Sequence, residues 1–504
     1  MVQGSASHVG KSMVVTALCR LLRNKGFKVA PFKAQNMANN SFVTADGGEI
    51  GRAQATQAEA CGVAPMTAMN PVLLKPSTDM KSQVIVMGKP TKTLSALEYQ
   101  SYKKELIPIV EKSLRALMES HDIVVIEGAG SPAEINLKKH DIVNMSVAKM
   151  VSSPVILIGD IDKGGVFAQL IGTYELLDLT EKKLVKTFLI NKFRGDKKIL
   201  EPGLRWIEKI THRKIFGVLP FLMHHEIPEE DSVALQDTES TGSVRKKQVL
   251  VHVVRLPRIS NFTDFEPLTR EKDVVLQYVH YPDRHCMPDL LIIPGSKSTM
   301  ADLRFLRDRG FADYIRRCVA AGVPVLGICG GYQMLGERIL DPSRVEADKS
   351  GCEGLGLLPT ITVFRREKTS AQVKAIHLES GLAIEGYEIH MGCTQGRNGH
   401  APAFRIVERH GMRIEDFDGM SLNGENGVSR QQPFVMGTYI HGIFDSAPFR
   451  TFFLNRMRVA AGLETVKERG GAATNDSPDA YDRLAKIVEQ NIDMKILNSI
   501  LNHA

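Results

Sequence analysis

The chain has 504 residues, too many for one hydrophobic core, so we expect two or three domains. Hydrophobic residues make up 43% and charged residues 24%, which excludes a disordered or fibrous protein. The net charge of +7 is spread among interspersed basic and acidic residues, which permits an anionic substrate but does not indicate nucleic-acid binding.

Apolar runs and cysteines exclude two further classes of protein. No apolar run reaches the length of a membrane span, and no charged-then-apolar signal segment precedes the first motif. The seven cysteines include no CxxC pair, so neither a structural zinc site nor a disulfide framework is indicated. We therefore expect a cytoplasmic protein that acts on small molecules, without a membrane or nucleic-acid partner. The sequence leaves the oligomeric state open. It also leaves open whether the start is complete, because the first motif begins almost at residue 1.

The chain opens with VQGSASHVGKS, which has the residues of a phosphate-binding loop but one residue more than usual. Gly4 and Gly10 enclose five residues, whereas the common pattern has four before Gly-Lys-Ser/Thr. A strand, a loop of small residues and a helix N-terminus form an anion cradle, because backbone N–H groups and the helix dipole face the anion. We predict that Ser7, Gly10, Lys11 and Ser12 bind a nucleotide, with Lys11 on the β/γ phosphates and Ser12 on Mg²⁺. The alternative is a chance GKS at the start of a helix.

Three short β-branched runs, each followed by a helical stretch, occupy residues 122–130, 153–162 and 186–193. Such alternation predicts a parallel sheet with helices on both faces, whose ligands bind at the carboxyl ends of the strands. Glu127 ends the first run, so we predict that it binds Mg²⁺ directly or through water, the alternative being a capped turn. Asn191 likewise ends a strand in the third run and resembles the asparagine of adenine-reading NK motifs, which implies that its side-chain amide pairs with the purine edge.

The alternation of strands and helices lapses at residues 221–248, which are first acidic and then basic. We place a domain boundary near residue 245, so that residues 1–245 form the nucleotide-binding domain. New strands then predict a second α/β domain over 246–455. Apolar residues at helical spacing near the end predict a helical extension over 456–504, docked on one of the domains.

The stretch GVPVLGICGGYQMLG is the most specific pattern in the chain. An apolar strand leads into Cys329, two glycines and a helix, which is the pattern of a nucleophile elbow. The helix N-terminus favours the thiolate of Cys329, and backbone N–H groups near Gly331 and Gly295 are candidates for an oxyanion hole. His441, at the end of a downstream strand, is the predicted base, with His390 as its competitor. The alternative for Cys329 is a buried structural cysteine.

Both halves resemble known families. The inserted loop residue and Lys33 resemble the dethiobiotin synthetase group, in which a second lysine lies on the phosphate side, although a solvated lysine is the alternative. The cysteine half resembles the triad-type, class I glutamine amidotransferases, whose fold is flavodoxin-like. Those enzymes have a glutamate two residues after the histidine, but Ile443 stands there in this chain and the nearest carboxylate, Asp445, is two residues further on. The group that orients His441 is therefore left open.

The whole chain resembles the cobyric acid synthase family of glutamine-hydrolysing amidoligases. The resemblance runs from the phosphate loop to the terminal helices. Its most specific stretches are PFKAQNMANNS (31–41), EIGRAQATQAEACGVAPMTAMNPVLLKPSTD (49–79), GDIDKGGVFAQLIGT (159–173) and PRISNFTDFEPL (257–268).

This resemblance implies a reaction, substrates and a cofactor. ATP, with Mg²⁺, activates carboxylates as acyl phosphates, and glutamine supplies the ammonia that converts them to amides. The implied acceptor is a corrin polycarboxylate, adenosylcobyrinic acid a,c-diamide, amidated at its b, d, e and g carboxylates to adenosylcobyric acid.

Two alternative functions differ from this one in testable ways. Cobyrinic acid a,c-diamide synthases have the same domain order and chemistry but amidate the a and c carboxylates, and PFKAQNMANNS argues against them. Partitioning-type ATPases have a signature lysine five positions before the loop lysine, where this chain has Ala6. If the chain were such an ATPase, its second half would be a non-catalytic glutamine-binding domain.

Overall fold

Two α/β units follow one another along the chain, and its last two helices return to the first unit. The computed structural model describes residues 1–77, 80–222, 227, 248–283, 286–346, 349–396, 401–422, 434–467 and 479–502. The expected boundary near residue 245 lies outside the described residues.

The first unit alternates strands and helices, as its sequence pattern predicts. Its strands are β1 (Val2–Gly4), β2 (Val29–Phe32), β3 (Gln35–Met37), β4 (Ser41–Val43), β5 (Glu49–Gly51), β6 (Val72–Pro76), β7 (Lys81–Val86), β8 (Lys89–Ser95), β9 (Ile123–Ile126), β10 (Val155–Asp160), β11 (Val185–Phe193) and β12 (Lys214–Pro220). Its helices are α1 (Lys11–Asn24), α2 (Arg52–Cys61), α3 (Ala96–Ser120), α4 (Met145–Met150), α5 (Val166–Glu175), α6 (Leu179–Leu184) and α7 (Lys197–Thr211).

The central sheet of this unit is parallel. Strands β1, β10, β11 and β12 pair side by side in parallel, β2 pairs with β9, and a bridge between Val2 and Glu127 joins the two groups. Every residue of β10 is buried, which is typical of a parallel strand covered on both faces. The loop after β1 and the carboxyl end of β9 therefore meet at one edge, where the predicted nucleotide residues lie. A side sheet of β3, β6, β7 and β8 extends the unit.

The second unit is built on a flavodoxin-like sheet. Its strands are β13 (Val249–Val254), β14 (Ile259–Ser260), β15 (Val274–Val279), β16 (Leu290–Ile293), β17 (Gly295–Ser296), β18 (Val325–Ile328), β19 (Arg338–Leu340), β20 (Gly351–Glu353), β21 (Thr360–His377), β22 (Ala383–Gly396), β23 (Phe404–Arg409), β24 (Met412–Asp418), β25 (Met420–Leu422), β26 (Val435–Thr438) and β27 (Ile440–His441). Its helices are α8 (Glu266–Thr269), α9 (Thr299–Asp308), α10 (Phe311–Ala320), α11 (Gly330–Leu335) and α12 (Ala447–Ala460).

The order β15-β13-β16-β18-β26 in this sheet is the 2-1-3-4-5 order of doubly wound proteins, and all four pairings are parallel. An antiparallel edge strand, β25, completes it. The predicted fold class is therefore confirmed for both units. Because β18 is central, the residue that follows it lies at the carboxyl edge of the sheet, where such folds bind ligands.

The terminal helices divide between the two units. Helix α12 crosses the expected boundary between residues 455 and 456 and buries Phe453 and Met457 in the second core, so we propose that the extension begins after Ala460. The last two helices, α13 (Ala480–Asn491) and α14 (Met494–Asn502), bury Leu484, Val488 and Leu497 in the first unit. The extension thus completes the core behind the phosphate loop.

A buried ion cluster joins the two units. The carboxylate of Glu49 on β5 contacts Nζ of Lys75 at 2.5 Å and Nζ of Lys368, which β21 contributes from the second unit. Burial alone would raise the pKa of Glu49, but the charges of the two lysines outweigh it and hold the pKa below its usual range. Removing one partner of a buried ion pair destabilises a protein by about 3–5 kcal/mol, because it leaves an uncompensated charge.

Candidate active sites

Gly10 fixes the turn between the phosphate loop and α1. Its φ of 93° lies in the left-handed region that favours glycine, and it caps the N-terminus of α1. A Cβ at this position would lie 2.2 Å from Nδ2 of Asn191. A side chain is therefore excluded both by the backbone conformation and by lack of space.

Lys11 reaches across the loop. Its Nζ donates hydrogen bonds to the carbonyl oxygens of Ala6 at 3.0 Å and Gly130 at 3.1 Å. These contacts hold the ammonium group between the loop and the segment that follows β9. A fixed positive charge at a helix N-terminus is suited to neutralising a phosphate.

Glu127 is the centre of a polar cluster that contains three of the predicted residues. Its Oε1 accepts a hydrogen bond from Oγ of Ser12 at 2.9 Å and contacts Nζ of Lys33 at 2.8 Å. Its Oε2 accepts a hydrogen bond from Nε2 of Gln57 at 2.5 Å, a residue that the sequence analysis did not single out. The carboxylate is buried and has charge compensation from one lysine.

The donor atoms of this cluster fit a magnesium ion. Mg²⁺ prefers oxygen ligands, keeps several waters and is bound by one or two carboxylates together with substrate phosphates. Ser12 and Glu127 place a hydroxyl and a carboxylate oxygen side by side. Among the described residues no group of three His, Cys, Asp or Glu side chains is placed to hold a metal ion.

Asn191 supports the phosphate loop. The side chain is fully buried, and its Nδ2 donates a hydrogen bond to the carbonyl oxygen of Val9 at 2.8 Å. Its Oδ1 has no hydrogen-bond partner among the described residues. One N–H of the amide is thus engaged by the loop, which leaves the second N–H and the oxygen for the predicted contact with a purine.

One cavity contains the whole predicted nucleotide site. Its volume is about 1020 Å³, and its walls include Ser7, Gly10, Lys11, Ser12, Lys33, Glu127 and Asn191. Small-molecule sites usually measure roughly 300–1,000 Å³. The structure thus brings these seven residues together, in a cavity at the upper end of that range.

Cys329 lies in the strained backbone of a nucleophile elbow. Its φ of 51° and ψ of −108° are unusual for a residue with a side chain, and it caps the N-terminus of α11. The backbone N–H donates to the carbonyl of Thr438 on the neighbouring strand, and Sγ lies 3.5 Å from the carbonyl oxygen of Ile389. Such strain is retained where it serves a function, here to project the thiol from the end of β18.

His441 is buried beside Cys329, and a carboxylate holds it. Its Nδ1 lies 2.6 Å from Oδ2 of Asp264, and Oδ1 of Asp264 accepts the backbone N–H of Gly442 at 3.1 Å. Burial would lower the pKa of His441. The charge of Asp264 and its hydrogen bond, together with a hydrogen bond to Cys329, raise that pKa to about 10. Cys329, His441 and Asp264 form the constellation of a nucleophile, a base and an orienting group.

Asp264 is the functional residue that sequence reasoning missed. It lies 177 positions before His441 in the chain, whereas the pattern of the triad-type amidotransferases has its carboxylate two residues after the histidine. The signal was an acidic residue between Phe262 and Phe265, both of which are buried. A buried carboxylate in an apolar segment is expected to have a specific partner.

The first unit fixes the loop that carries Asp264. The Asn261 side chain accepts a hydrogen bond from the backbone N–H of Ser41 at 3.0 Å, and the Asn40 side chain accepts one from the N–H of Phe262 at 3.2 Å. Asn40 and Ser41 follow β3, whose residues line the large cavity. The position of Asp264 therefore depends on contacts between the two units.

The other candidates for the base and its orienting group have different partners. Asp445 follows the histidine strand, but it is Asp264 that contacts the His441 ring. His390 stacks on Tyr439, with ring centroids 3.8 Å apart, and its Nδ1 is within 2.7 Å of the carbonyl oxygen of Gly392. Tyr387 stacks on the opposite histidine, His441, and forms one wall of its site.

The predicted oxyanion glycines lie against the elbow. A Cβ on Gly331 would lie 2.0 Å from the carbonyl oxygen of Ile293, so only glycine permits this packing of α11 on β16. A Cβ on Gly295 would lie 3.4 Å from Cε1 of His441. The segment that contains Gly295 and the first turn of α11 therefore lie close to His441 and Cys329, and their role as an oxyanion hole stays a prediction.

Two further findings concern the helices and the cysteines. None of the helices in the described ranges has both the length and the apolar character needed to cross a membrane. All seven cysteines are free thiols in the structure.

Comparison with known protein families assigns each unit separately. Residues 1–233 match the model of the CobQ/CobB/MinD/ParA nucleotide binding domain. Residues 250–449 match the model of the CobB/CobQ-like glutamine amidotransferase domain. A crystal structure of a glutamine amidotransferase shares 18% identity over 42% of this chain and 99% of its own, at a TM-score of 0.29, which is too low to support a statement about fold.

Curated relatives match the chain along its entire length. The cobyric acid synthases of Dehalococcoides mccartyi strain CBDB1 and Sorangium cellulosum strain So ce56 are each 48% identical, over 100% and 99% of this chain and 98% of their own lengths. That of Streptococcus sanguinis strain SK36 is 45% identical over 100% of this chain and 98% of its own. With such identity over the full length, the chain belongs to the cobyric acid synthase family.

Proposed function

We propose that the protein converts adenosylcobyrinic acid a,c-diamide to adenosylcobyric acid by amidating the b, d, e and g carboxylates, with ATP and glutamine as cosubstrates. The observation that carries this proposal is the presence, in one chain of this family, of a phosphate-loop cavity and a Cys329–His441–Asp264 site. The proposal includes a cytoplasmic location, which is supported by free thiols typical of a reducing compartment. It includes no nucleic acid or membrane as a partner.

The first chemical step takes place at the phosphate loop. A corrin carboxylate oxygen attacks the γ-phosphorus of ATP, and the bond from that phosphorus to the β-phosphate oxygen breaks. ADP departs, and the carboxylate has become an acyl phosphate. Lys11 and Lys33 supply positive charge to the transferring phosphoryl group and the leaving oxygen. Ammonia then attacks the acyl carbon, phosphate departs, and a proton is lost to give the amide.

Mg²⁺ belongs to this proposal as the ion that neutralises the phosphates. Ser12 and Glu127 are the residues that would hold it, because their oxygens are adjacent and hard. Lys33 and Gln57 hold the carboxylate of Glu127 in position from its two oxygens.

Ammonia is released at the second site. The thiolate of Cys329 attacks the γ-amide carbon of glutamine, and the imidazolium of His441 donates its proton to the departing ammonia. The resulting glutamyl thioester is hydrolysed by a water that His441 deprotonates, which releases glutamate and restores the thiolate of Cys329 and the imidazolium of His441. Asp264 keeps Nδ1 protonated and the ring oriented throughout this cycle.

Replacing Asp264 by asparagine should test its role as the positioning residue. Glutamine hydrolysis should fall by roughly 10²- to 10⁴-fold, because the neutral amide neither fixes the tautomer nor stabilises the imidazolium. On the alkaline side, glutamine hydrolysis by the native protein should decline as the pH rises through the pKa of His441, about 10. Since the loss of Asp264 lowers that pKa, the decline should begin at lower pH in the variant. A pH profile of glutamate release measures both effects.

The matched control for this variant is Asp445→Asn, which removes the carboxylate nearest to His441 in the downstream sequence. Its rate of glutamate release should stay within a few-fold of the native rate, and its pH profile should be unchanged. An unchanged Asp264→Asn profile, or an equal loss in both variants, would contradict the role given to Asp264.

Mass spectrometry of the corrin product tests the proposed function as a whole. With ATP, Mg²⁺ and glutamine, the a,c-diamide should gain amides in four successive steps, each replacing OH by NH₂. Amidation of unamidated cobyrinic acid at a and c, without reaction of the a,c-diamide, would favour the a,c-diamide synthase instead. ATP hydrolysis without any change in the corrin would favour a partitioning-type ATPase.

A further inference from the structure

Lys103 is a buried lysine on the wall of the large cavity. It lies on α3, where its neighbours on the same buried face are Tyr99, Leu106 and Val110. Only 9% of the residue is exposed, and it lines the same cavity as the phosphate loop. An ammonium group in the middle of an otherwise apolar helix face is costly to bury unless it has an anionic partner.

No carboxylate pairs with Lys103 within the described part of the chain. Its ammonium lies 5.6 Å from the ring centroid of Tyr99. The nearest acidic influence, Asp141, accepts hydrogen bonds from the backbone N–H groups of Val143, Asn144 and Ser146 instead. Burial accordingly lowers the pKa of Lys103, and the more distant charge of Asp141 opposes this only in part.

Three other lysines on the cavity wall each contact a carboxylate of the protein. Lys138 and Lys149 contact the two oxygens of Glu181 at 2.6 and 3.1 Å, and the Glu181 side chain is 2% exposed. Lys33 contacts Glu127 in the polar cluster described above. Lys103 thus differs from these lysines in having no fixed anion to balance it.

Lys103 is connected to the phosphate-loop side of the cavity. The hydroxyl of Tyr99, one helical turn before it, donates a hydrogen bond to Oε1 of Gln35 at 2.5 Å. Gln35 lines the cavity and lies two residues after Lys33. The cavity volume, about 1020 Å³, is at the upper end of the range of small-molecule sites.

We infer that Lys103 is a subsite for a carboxylate of the acceptor, which it binds by a charge-assisted hydrogen bond inside the cavity. This inference rests on the proposed function, since it takes the acceptor to be a polycarboxylate. The residue is assigned to binding and orientation of the acceptor, and Lys11 and Lys33 remain the phosphate-side lysines. A buried ammonium without a protein partner is satisfied when an acceptor carboxylate reaches it.

The test uses Lys103→Met and Lys103→Arg in the full chain, with Lys104→Met as the matched control. Lys104 is the next residue on α3 and is exposed. Binding of the a,c-diamide is measured without ATP by titration of its visible absorbance. Lys103→Met should weaken binding about 10- to 100-fold, the range of one charged hydrogen bond. Lys103→Arg should recover most of the affinity, and Lys104→Met should bind normally.

Three further readouts separate this role from others. The loss should be smaller for the amidated product, which has fewer carboxylates to pair with Lys103. Binding of Mg²⁺-ATP and hydrolysis of glutamine should be unchanged in Lys103→Met. The thermal midpoint should be unchanged or higher, because the variant removes an unpaired buried charge; the arginine variant decides the question if the methionine variant is unstable.

Two outcomes would overturn the inference. Normal binding of the a,c-diamide by Lys103→Met would remove Lys103 from acceptor recognition, and a parallel loss of ATP affinity would assign it to the nucleotide. Failure of the proposed function is distinguishable, because the native protein itself would then neither bind nor amidate the a,c-diamide.

Discussion

Replacing Cys329 by serine should lower glutamine-dependent amidation by on the order of 10³-fold or more, as expected when the nucleophile of a catalytic unit is removed. A serine hydroxyl is far less acidic than a thiol, and His441, held as an imidazolium by Asp264, is a poor base for it. The strained turn at φ 51° tolerates serine as it tolerates cysteine, so the fold should be retained. Release of glutamate and formation of corrin amide are measured together.

Free ammonia provides the control for this variant. At high ammonium concentration and alkaline pH, where more of the ammonia is unprotonated, Cys329→Ser should still amidate the corrin in an ATP-dependent reaction. Intact glutamine-dependent activity would remove Cys329 from the mechanism. Loss of the ammonia-dependent reaction in a folded variant would show that the two sites are not separable.

Replacing Lys11 by alanine should have the complementary effect. Amidation with either glutamine or ammonia should fall by on the order of 10²- to 10³-fold or more, because charge compensation at the transferring phosphoryl group is lost. The contacts of Nζ with Ala6 and Gly130 are also lost, so the thermal midpoint should be measured alongside. Basal glutamine hydrolysis should persist, because the triad lies in the other unit.

Lys25→Ala is the matched control for the loop variant. Lys25 follows the last residue of α1 and pairs with Glu489 on α13 at 3.0 Å, an exposed contact worth about 0–1 kcal/mol. It should leave both amidation reactions within a few-fold of native. Near-normal amidation by Lys11→Ala would contradict the assignment of the phosphate loop to ATP.

The parts of the molecule with local patterns could be predicted from the sequence. The phosphate loop needs glycine at a left-handed position before a helix, and Gly10 supplies it. The elbow needs an apolar strand, a nucleophile and small residues, and Cys329 with the following glycines meets that need within a few positions. Parallel sheets follow from buried β-branched runs between helices, which is why both fold classes could be stated in advance.

Tertiary contacts between distant segments could not be predicted in this way. Asp264 reaches His441 only because the fold brings together two segments far apart in the sequence. The same holds for Arg20, which binds Asp479 and Asp482 at 2.6 Å each and so attaches the terminal helices to α1. No periodicity in one segment indicates which distant segment it will contact.

Contacts within one site can also redirect a predicted side chain. The position of Asn191 at the end of β11 predicts a purine contact, whereas the structure shows that one N–H of its amide binds the loop at Val9. The contact of Gln57 with Glu127 could not be predicted, because nothing in the pattern of its helix distinguishes Gln57. The pattern of a strand end thus indicates where a side chain lies, but does not determine which of its atoms remain for a ligand.

The central claim is that nitrogen from glutamine reaches ATP-activated carboxylates of the corrin within one protein. The most direct measurement is the mass of the corrin after incubation of the native protein with the a,c-diamide, ATP, Mg²⁺ and glutamine labelled with nitrogen-15 in its amide, in the presence of unlabelled ammonium. We predict four added nitrogens, predominantly heavy, and none when ATP is omitted. An unchanged corrin, or added nitrogen that carries no label, would contradict the account.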